Sequence, residues 1–294
     1  MKRAPGLIAE YEKIGGSPLN RQATRQARRV EQELRRRGHD VIGLVGMQFT
    51  EPGIREALEQ ARTQGAESLI ALPVYPVCGP STTLAALQQM RTALDQMGWD
   101  VPVQEITGWH SNNNYIELRA DTIRSALIEH DLDLSDARTR LIFSAHGTPM
   151  HYLREGSRYV HYTEHVCQAV AQALGVDDFE LGYQNHTNRP IEWTQPDIEN
   201  VIDGVDADTI VIEPCSFMHE QSETLAELDD DLKEEAEERG LRYYRVPVPH
   251  DDDRFIMLLS DLIEPFITGQ PAAAGFRPCR CRVTPDTWCL NTVL

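Results

Sequence analysis

Two stretches of this 294-residue chain repeat one design. Leu69-Ile70-Ala71-Leu72-Pro73 and Thr209-Ile210-Val211-Ile212-Glu213-Pro214 are apolar runs that end in proline, and eight residues after each proline stands a serine. Those serines open matching strings, Ser81-Thr82-Thr83-Leu84 and Ser222-Glu223-Thr224-Leu225. A strand-like run, a loop and a helix start, met twice, restrict the chain to a fold of two similar α/β halves. One difference stands out: Glu223 occupies the place of Thr82. Two such halves facing each other would leave a cleft with one acidic wall.

The rest of the pattern agrees. Strand-like segments fall at 41–45, 69–72, 101–106, 140–144, 180–183, 209–212 and 243–246. Helical spacing is read at 54–65, 82–97, 116–130, 162–174, 197–202, 222–239 and 254–267. Strands that are apolar throughout, separated by helices, predict doubly wound halves with parallel sheets covered on both faces. We expect an N-terminal half over 1–112, a C-terminal half over 113–268 and a cysteine-containing tail over 269–294, with an asparagine-rich linker at 109–114 and no regular structure in the tail. Ligands of such sheets sit beyond the carboxyl ends of the strands. That selects the loops after Leu72, Ser144, Tyr183 and Glu213.

Charge and composition exclude several functions. A formal charge of -18 lacks the basic footprint a nucleic-acid partner needs. No run of eighteen apolar residues suits a membrane span, and the first residues lack a secretory signal, so a cytoplasmic location is expected. Gly15-Gly16-Ser17-Pro18 lacks the lysine of a phosphate-binding loop and reads as a turn.

Candidate chemistry gathers at two strand ends. Leu141-Ile142-Phe143 delivers His146 at the end of Ser144-Ala145-His146-Gly147; a neutral imidazole there can take a proton or bind a borderline metal. Its bland reading is a structural histidine. Glu223 opens the second helix start, and with Glu227, Asp230 and Glu234 it falls on one helical stripe. For residues 229–238 a solvated charged face is the preferred reading. His146, Glu223 and His219 would make an open imidazole–carboxylate site, too sparse for a resident zinc hydrolase centre. The aromatic residues Tyr11, Phe49, Tyr75, Trp109, Tyr183, Trp193 and Phe217 all fall in or beside loops. Together they would suit a large flat apolar ligand.

These residues resemble the ferrochelatase family. The likeness rests on Ser144 to Gly147, Phe217 and Glu223-Thr224-Leu225-Ala226-Glu227-Leu228-Asp229. It extends to Tyr11 to Pro18, Leu72 to Thr83, Gly182 to Trp193 and Pro247 to Ile256, in order over nearly the whole chain. The resemblance implies a chelatase-like fold that inserts Fe2+, as substrate, into protoporphyrin IX or coproporphyrin III in heme biosynthesis. It implies His146 and Glu223 as the opposed catalytic pair, with His219 and Glu227 as further metal contacts. Tyr11, Phe49, Ser81, Thr82, Trp193 and Phe217 would bind the porphyrin. Only ten residues precede Tyr11, so the family's usual first strand is expected to be missing. Gln48 and Gln221 replace an arginine and a histidine common in the family.

Some family members hold a 2Fe-2S cluster on terminal cysteines plus an internal one. Cys279, Cys281 and Cys289 resemble that group, with Cys78 or Cys167 as the fourth ligand; free thiols or another metal are the other readings. Beyond the porphyrin, the expected partners are a transient membrane or heme-pathway enzyme contact, with the chain a monomer or dimer. The competing functions are a chelatase for another metal and a non-catalytic tetrapyrrole- or heme-binding paralogue.

Overall fold

In the computed structural model, which describes residues 12–185, 190–282, 284 and 286–290, the apolar runs assemble into two four-stranded sheets. Contacts divide the chain into two compact units. One combines the described part of 1–19 with Ile116–His250, and the other combines Asn20–Tyr115 with Asp251–Leu294 as far as it is described.

The unit around Asn20–Tyr115 begins with helix α1 (Leu19–Arg36) and α2 (Ile54–Thr63). Strand β1 (Leu69–Ala71), a π-helical turn (Pro80–Leu84), α3 (Ala85–Met97) and β2 (Val103–Thr107) follow. Apolar residues of α2, α3 and β2 meet in one core of Ile54, Leu58, Leu87, Met90, Leu94 and Val103. The other unit carries most of α4 (Asn113–Glu129), then β3 (Thr139–His146), α5 (Met150–Arg154), α6 (Tyr159–Leu174), β4 (Phe179–Gln184), α7 (Ile198–Gly204) and β5 (Thr209–Glu213). Its last elements are α8 (Ser222–Leu225), a π-helical stretch (Glu227–Leu232), α9 (Lys233–Glu238) and β6 (Arg242–Arg245). The sheet order is β4-β3-β5-β6, with every pair parallel. Ile142, Ile210 and Ile212 pack under Leu228, Leu232 and Ala236, so the broken helix is held by its apolar stripe. Leu228 is fully buried, and cutting it to alanine would cost about 2–5 kcal/mol.

Several sequence expectations give way here. The tail is not an irregular extension: β7 (Arg277–Pro278) and β8 (Thr287–Cys289) form a hairpin, and β8 pairs in parallel with β2. Buried Glu105 fixes that docking, accepting hydrogen bonds from Arg91 (2.6 Å), Arg282 (2.9 Å) and Thr287 (2.5 Å). The tail and α10 (Asp253–Ile267) therefore belong to the unit that holds Asn20–Tyr115. The run 41–45 joins no ladder, because α1 takes its polar groups. Arg35 Nε donates to Val41 O at 2.9 Å, and Gly43 N donates to Glu31 Oε2 at 3.0 Å. A Cβ on Gly43 would lie 2.6 Å from Ala27 O, so only glycine lets the helix approach this closely. The stretch 109–114 is no exposed linker either: Trp109 and His110 are wholly buried, and Trp109 meets Tyr115 edge to face at 5.1 Å. Of the loop-assigned aromatics, Trp109, Tyr183, Trp193 and Phe217 are buried core residues.

Candidate active site

His146 is the last residue of β3, where the strand leaves the sheet. Its backbone is held on both sides: the N–H donates to Ser216 Oγ at 2.9 Å, and the carbonyl accepts from Tyr159 OH at 2.8 Å. Nδ1 lies 2.7 Å from Gly147 O. A carbonyl only accepts, so Nδ1 carries the proton and Nε2 holds the lone pair of the neutral ring. Gly147 is closely approached: a Cβ there would fall 1.8 Å from Asn185 Oδ1 and 3.0 Å from Gln184 O, so a larger residue would displace the Asn185 side chain. Phe217 stands beside the imidazole, with ring centroids 6.4 Å apart.

The loop that carries Phe217 is fixed by a buried ion pair, Arg119 with Glu213. The Arg119 guanidinium also donates to Pro214 O (3.0 Å) and Phe217 O (3.2 Å). Burial raises the Glu213 carboxyl above its ordinary value while Arg119 opposes the rise.

Glu223 lies in the first turn of α8, half-buried, and its Oε2 accepts from Ser222 Oγ at 2.8 Å. Gln221 N donates to Thr224 Oγ1 at 3.0 Å and fastens the start of that turn. The expected single helix over 222–239 is instead interrupted by the π-helical stretch, so the four acids do not share one continuous α-helical stripe. Their partners differ accordingly. Glu227 accepts from Gln184 Nε2 at 3.0 Å, Asp229 takes Arg245 through both oxygens, and Asp230 meets Lys13 at 3.2 Å. The Asp229 contact departs from the solvated face expected for 229–238.

His219 is brought beside His250. Burial first, then the charge of His250, lowers its pKa to about 4, so the ring stays neutral at ordinary pH. Trp193, also buried, bridges Pro149 across an antiparallel contact. It lines a pocket of about 560 Å³ with Met150, Leu153, Ile191, Asn185 and Asp197.

The residues expected from the other half lie in the unit of Asn20–Tyr115. Phe49 projects into solvent, 89% exposed, Ser81 is exposed, and Thr82 Oγ1 donates to Gly79 O at 3.4 Å. Tyr11 lies outside the described residues.

In the same unit, the thiols of Cys281 and Cys289 hydrogen-bond the sulfur of Cys279, as does Thr107, and together they hold it below the usual thiol range. Burial pushes Cys78 up to about 12, and the charge of Cys279 is the next cause. Cys167 instead approaches Cys215, sulfur to sulfur 3.8 Å. No three His, Cys, Asp or Glu side chains among the described residues are arranged about a single metal-ion position.

Two polar residues escaped the sequence reading. Gln184 closes β4 beside His146 and bonds Glu227; Arg119, on α4, holds the Phe217 loop. The strand-end rule had already selected the loop after Tyr183, so the pair Gln184-Asn185 was within its reach.

A model of the family described as Ferrochelatase matches residues 1–266. A ferrochelatase of Synechococcus sp. (strain RCC307) is 32% identical over 291 residues, covering 94% of this chain and 73% of that protein. One from Desulfotalea psychrophila (strain LSv54 / DSM 12343) is 30% identical over 268 residues, covering 89% and 81%. Among solved structures, SirB from Bacillus subtilis with Fe3+ superimposes with a TM-score of 0.60 at 11% identity, covering 87% of this chain and 94% of its own. CbiX, described as the terminal enzyme for biosynthesis of siroheme in denitrifying bacteria, gives 0.55 at 16%, covering 85% and 93%. At those identities the likeness is one of fold.

Proposed function

The chain belongs to the ferrochelatase family, enzymes that insert ferrous iron into a porphyrin in heme biosynthesis, and from that premise we propose that His146 and Glu223 carry the reaction. The observation that supports this most is the anchored imidazole, whose Nδ1 bond to Gly147 O leaves Nε2 as the basic atom. A porphyrin must give up two N–H protons as it accepts one divalent ion. The imidazole and the carboxylate of Glu223 take those protons or hand over the metal. Glu227 and His219 extend the metal path, His219 as a neutral ring able to offer a lone pair.

Phe217 and Trp193 would give the macrocycle apolar contact, and the family resemblance adds Tyr11, Phe49, Ser81 and Thr82 as further candidate porphyrin contacts. Bending the flat ring to expose its nitrogens costs about 1–5 kcal/mol, supplied by contacts remote from the centre. The test is anaerobic Fe2+ insertion with protoporphyrin IX and coproporphyrin III side by side. A heme absorbance spectrum with one of them is expected. No turnover with either would overturn the proposal and favour a binding paralogue.

The tail cysteines support a second element. Cys279 lies within hydrogen-bond reach of Cys281 and Cys289, with Cys78 close by, yet among the described residues no three such side chains surround one metal position. A 2Fe-2S cluster on them therefore rests on the family resemblance and on the softness of thiol donors. Cys279, Cys281, Cys289 and Cys78 would hold it, and it would supply one-electron chemistry or a clamp on the tail. Iron and acid-labile sulfide in anaerobically purified protein, both lost in Cys279→Ser, are the expected result. Protein without sulfide would leave these residues as thiols. We propose a cytoplasmic location. No helix among the described residues is long and apolar enough to cross a membrane.

A further inference from the structure

Gln184 holds the last position of β4, directly across the ladder from His146. Its main-chain carbonyl accepts from Gly147 N at 2.8 Å, on the residue that orients the imidazole. The side chain is buried, 5% exposed, and makes three contacts. Ser144 Oγ donates to Oε1 at 3.0 Å, while Nε2 donates to Glu223 O at 2.9 Å and to Glu227 Oε2 at 3.0 Å. A peptide carbonyl and a carboxylate accept only, so the amide has one permitted orientation; a flip would set its oxygen against both.

We propose that Gln184 is a positioning residue for metal insertion, hanging the glutamate-bearing turns on the strand end that presents His146. This rests on the reading of His146 and Glu223 as the reacting pair. The turns need such an anchor. Helix α8 is four residues long, and the π-helical stretch follows after one residue, so intrinsic helix stability contributes little there. The amide grips Glu223 by its backbone, so the carboxylate itself is not consumed by the anchor. Glu227 is gripped by its carboxylate instead. One side chain thereby fixes two acids to the strand pair, and misplacement of a reacting group by 1 Å costs about 10²-fold in rate.

Two near-isosteric changes test it. Gln184→Glu keeps an acceptor for Ser144 but turns oxygen toward the Glu223 carbonyl and the Glu227 carboxylate; Gln184→Leu removes every polar contact. In anaerobic Fe2+ insertion, both should lose about 30- to 100-fold in kcat while the porphyrin KM stays within about threefold, because the loss is of positioning rather than substrate affinity. Ser144→Ala, which removes only the bond to the amide oxygen, should lose about three- to tenfold in kcat with the same unchanged KM. Circular dichroism melts check that each variant is folded at the assay temperature. Retention of kcat within about twofold in Gln184→Leu, or a loss carried wholly by KM, overturns the proposal. If neither Gln184 variant folds, an unchanged kcat in Ser144→Ala overturns it. A Glu223→Gln protein with full kcat would remove the catalytic reading itself, whatever the Gln184 variants do.

Discussion

In the unit of Asn20–Tyr115, the string from Pro80 winds as a π-helical turn and runs into α3. In the other unit, the string from Ser222 makes one α-helical turn before its own π-helical stretch. Both strand–loop–helix designs contain wider-than-α geometry, the first copy at the turn that opens its helix and the second just after that turn, and their chemistry diverges as well. The first turn offers hydroxyls, with Thr82 bonded back to Gly79 O, and carries no ionisable side chain between Pro80 and Leu84. The second presents Glu223, then Glu227 held by Gln184, then Asp229 neutralised by Arg245. A duplicated strand–loop–helix design can thus take up charge in one copy, with its π-helical stretch displaced, where neighbouring polar groups hold the acids in place.

Removal of the His146 imidazole, proposed as the partner of Glu223, should break this contrast most completely. His146→Ala is expected to lower Fe2+ insertion by about 10³-fold, within the range for a positioned acid–base group. Glu223→Gln should follow with about 10²-fold, whereas Thr82→Val in the neutral copy should change kcat by less than about threefold. Equal losses at Glu223 and Thr82 would mean that both turns share the chemistry. Steady-state rates on the three purified variants decide this.

The strand ends extend the comparison to stability. Leu72 precedes the proline of the first copy, and Glu213 precedes that of the second. Glu213 is wholly buried and its charge depends on Arg119. Arg119→Met should therefore destabilise the protein by about 3–5 kcal/mol in urea unfolding, since it strands a buried carboxylate. Glu213→Leu combined with Arg119→Met, which imitates the first copy, should recover much of that loss. Failure to recover would show that the guanidinium bonds to Pro214 O and Phe217 O outweigh the ion pair itself.

Why the fold was legible and the site less so follows from the same physics. Runs such as Leu141-Ile142-Phe143 and Thr209–Ile212 announce themselves, because a strand buried on both faces must be apolar throughout. The run at 41–45 has the same look, but its partner is a helix, and sequence period does not name partners. Helix α1 leaves little trace in the sequence, because its buried side is only Gln26, Val30 and Leu34, a thin stripe among many arginines. His146 could be singled out as an ionisable group at a strand end, and Glu223 as one at a helix start. Gln184 and Arg119 act through backbone carbonyls and a second side chain, and such contacts leave no periodic trace. The π-helical interruption is equally silent, since Leu225, Leu228 and Leu232 satisfy an α-helical spacing on paper.

Acid sensitivity gives the smallest effect. The Pro80–Leu84 turn carries nothing that titrates, whereas the segment before Ser222 includes His219, whose pKa burial and His250 lower to about 4. An unfolded chain protonates that ring near pH 6.5, so between about 6.5 and 4 the unfolded state binds more protons and stability falls as the pH falls. Above 6.5 both states hold it neutral and the contribution is constant. Urea midpoints measured from pH 7.5 to 4.5 should therefore decline with a His219 contribution of at most about 1.4 kcal/mol per pH unit. His219→Gln should flatten that part of the slope while leaving the acid response of the remaining groups. An unchanged slope in His219→Gln would mean that the ring is protonated in the folded protein after all, with the burial beside His250 relieved by water or movement of the loop after β5.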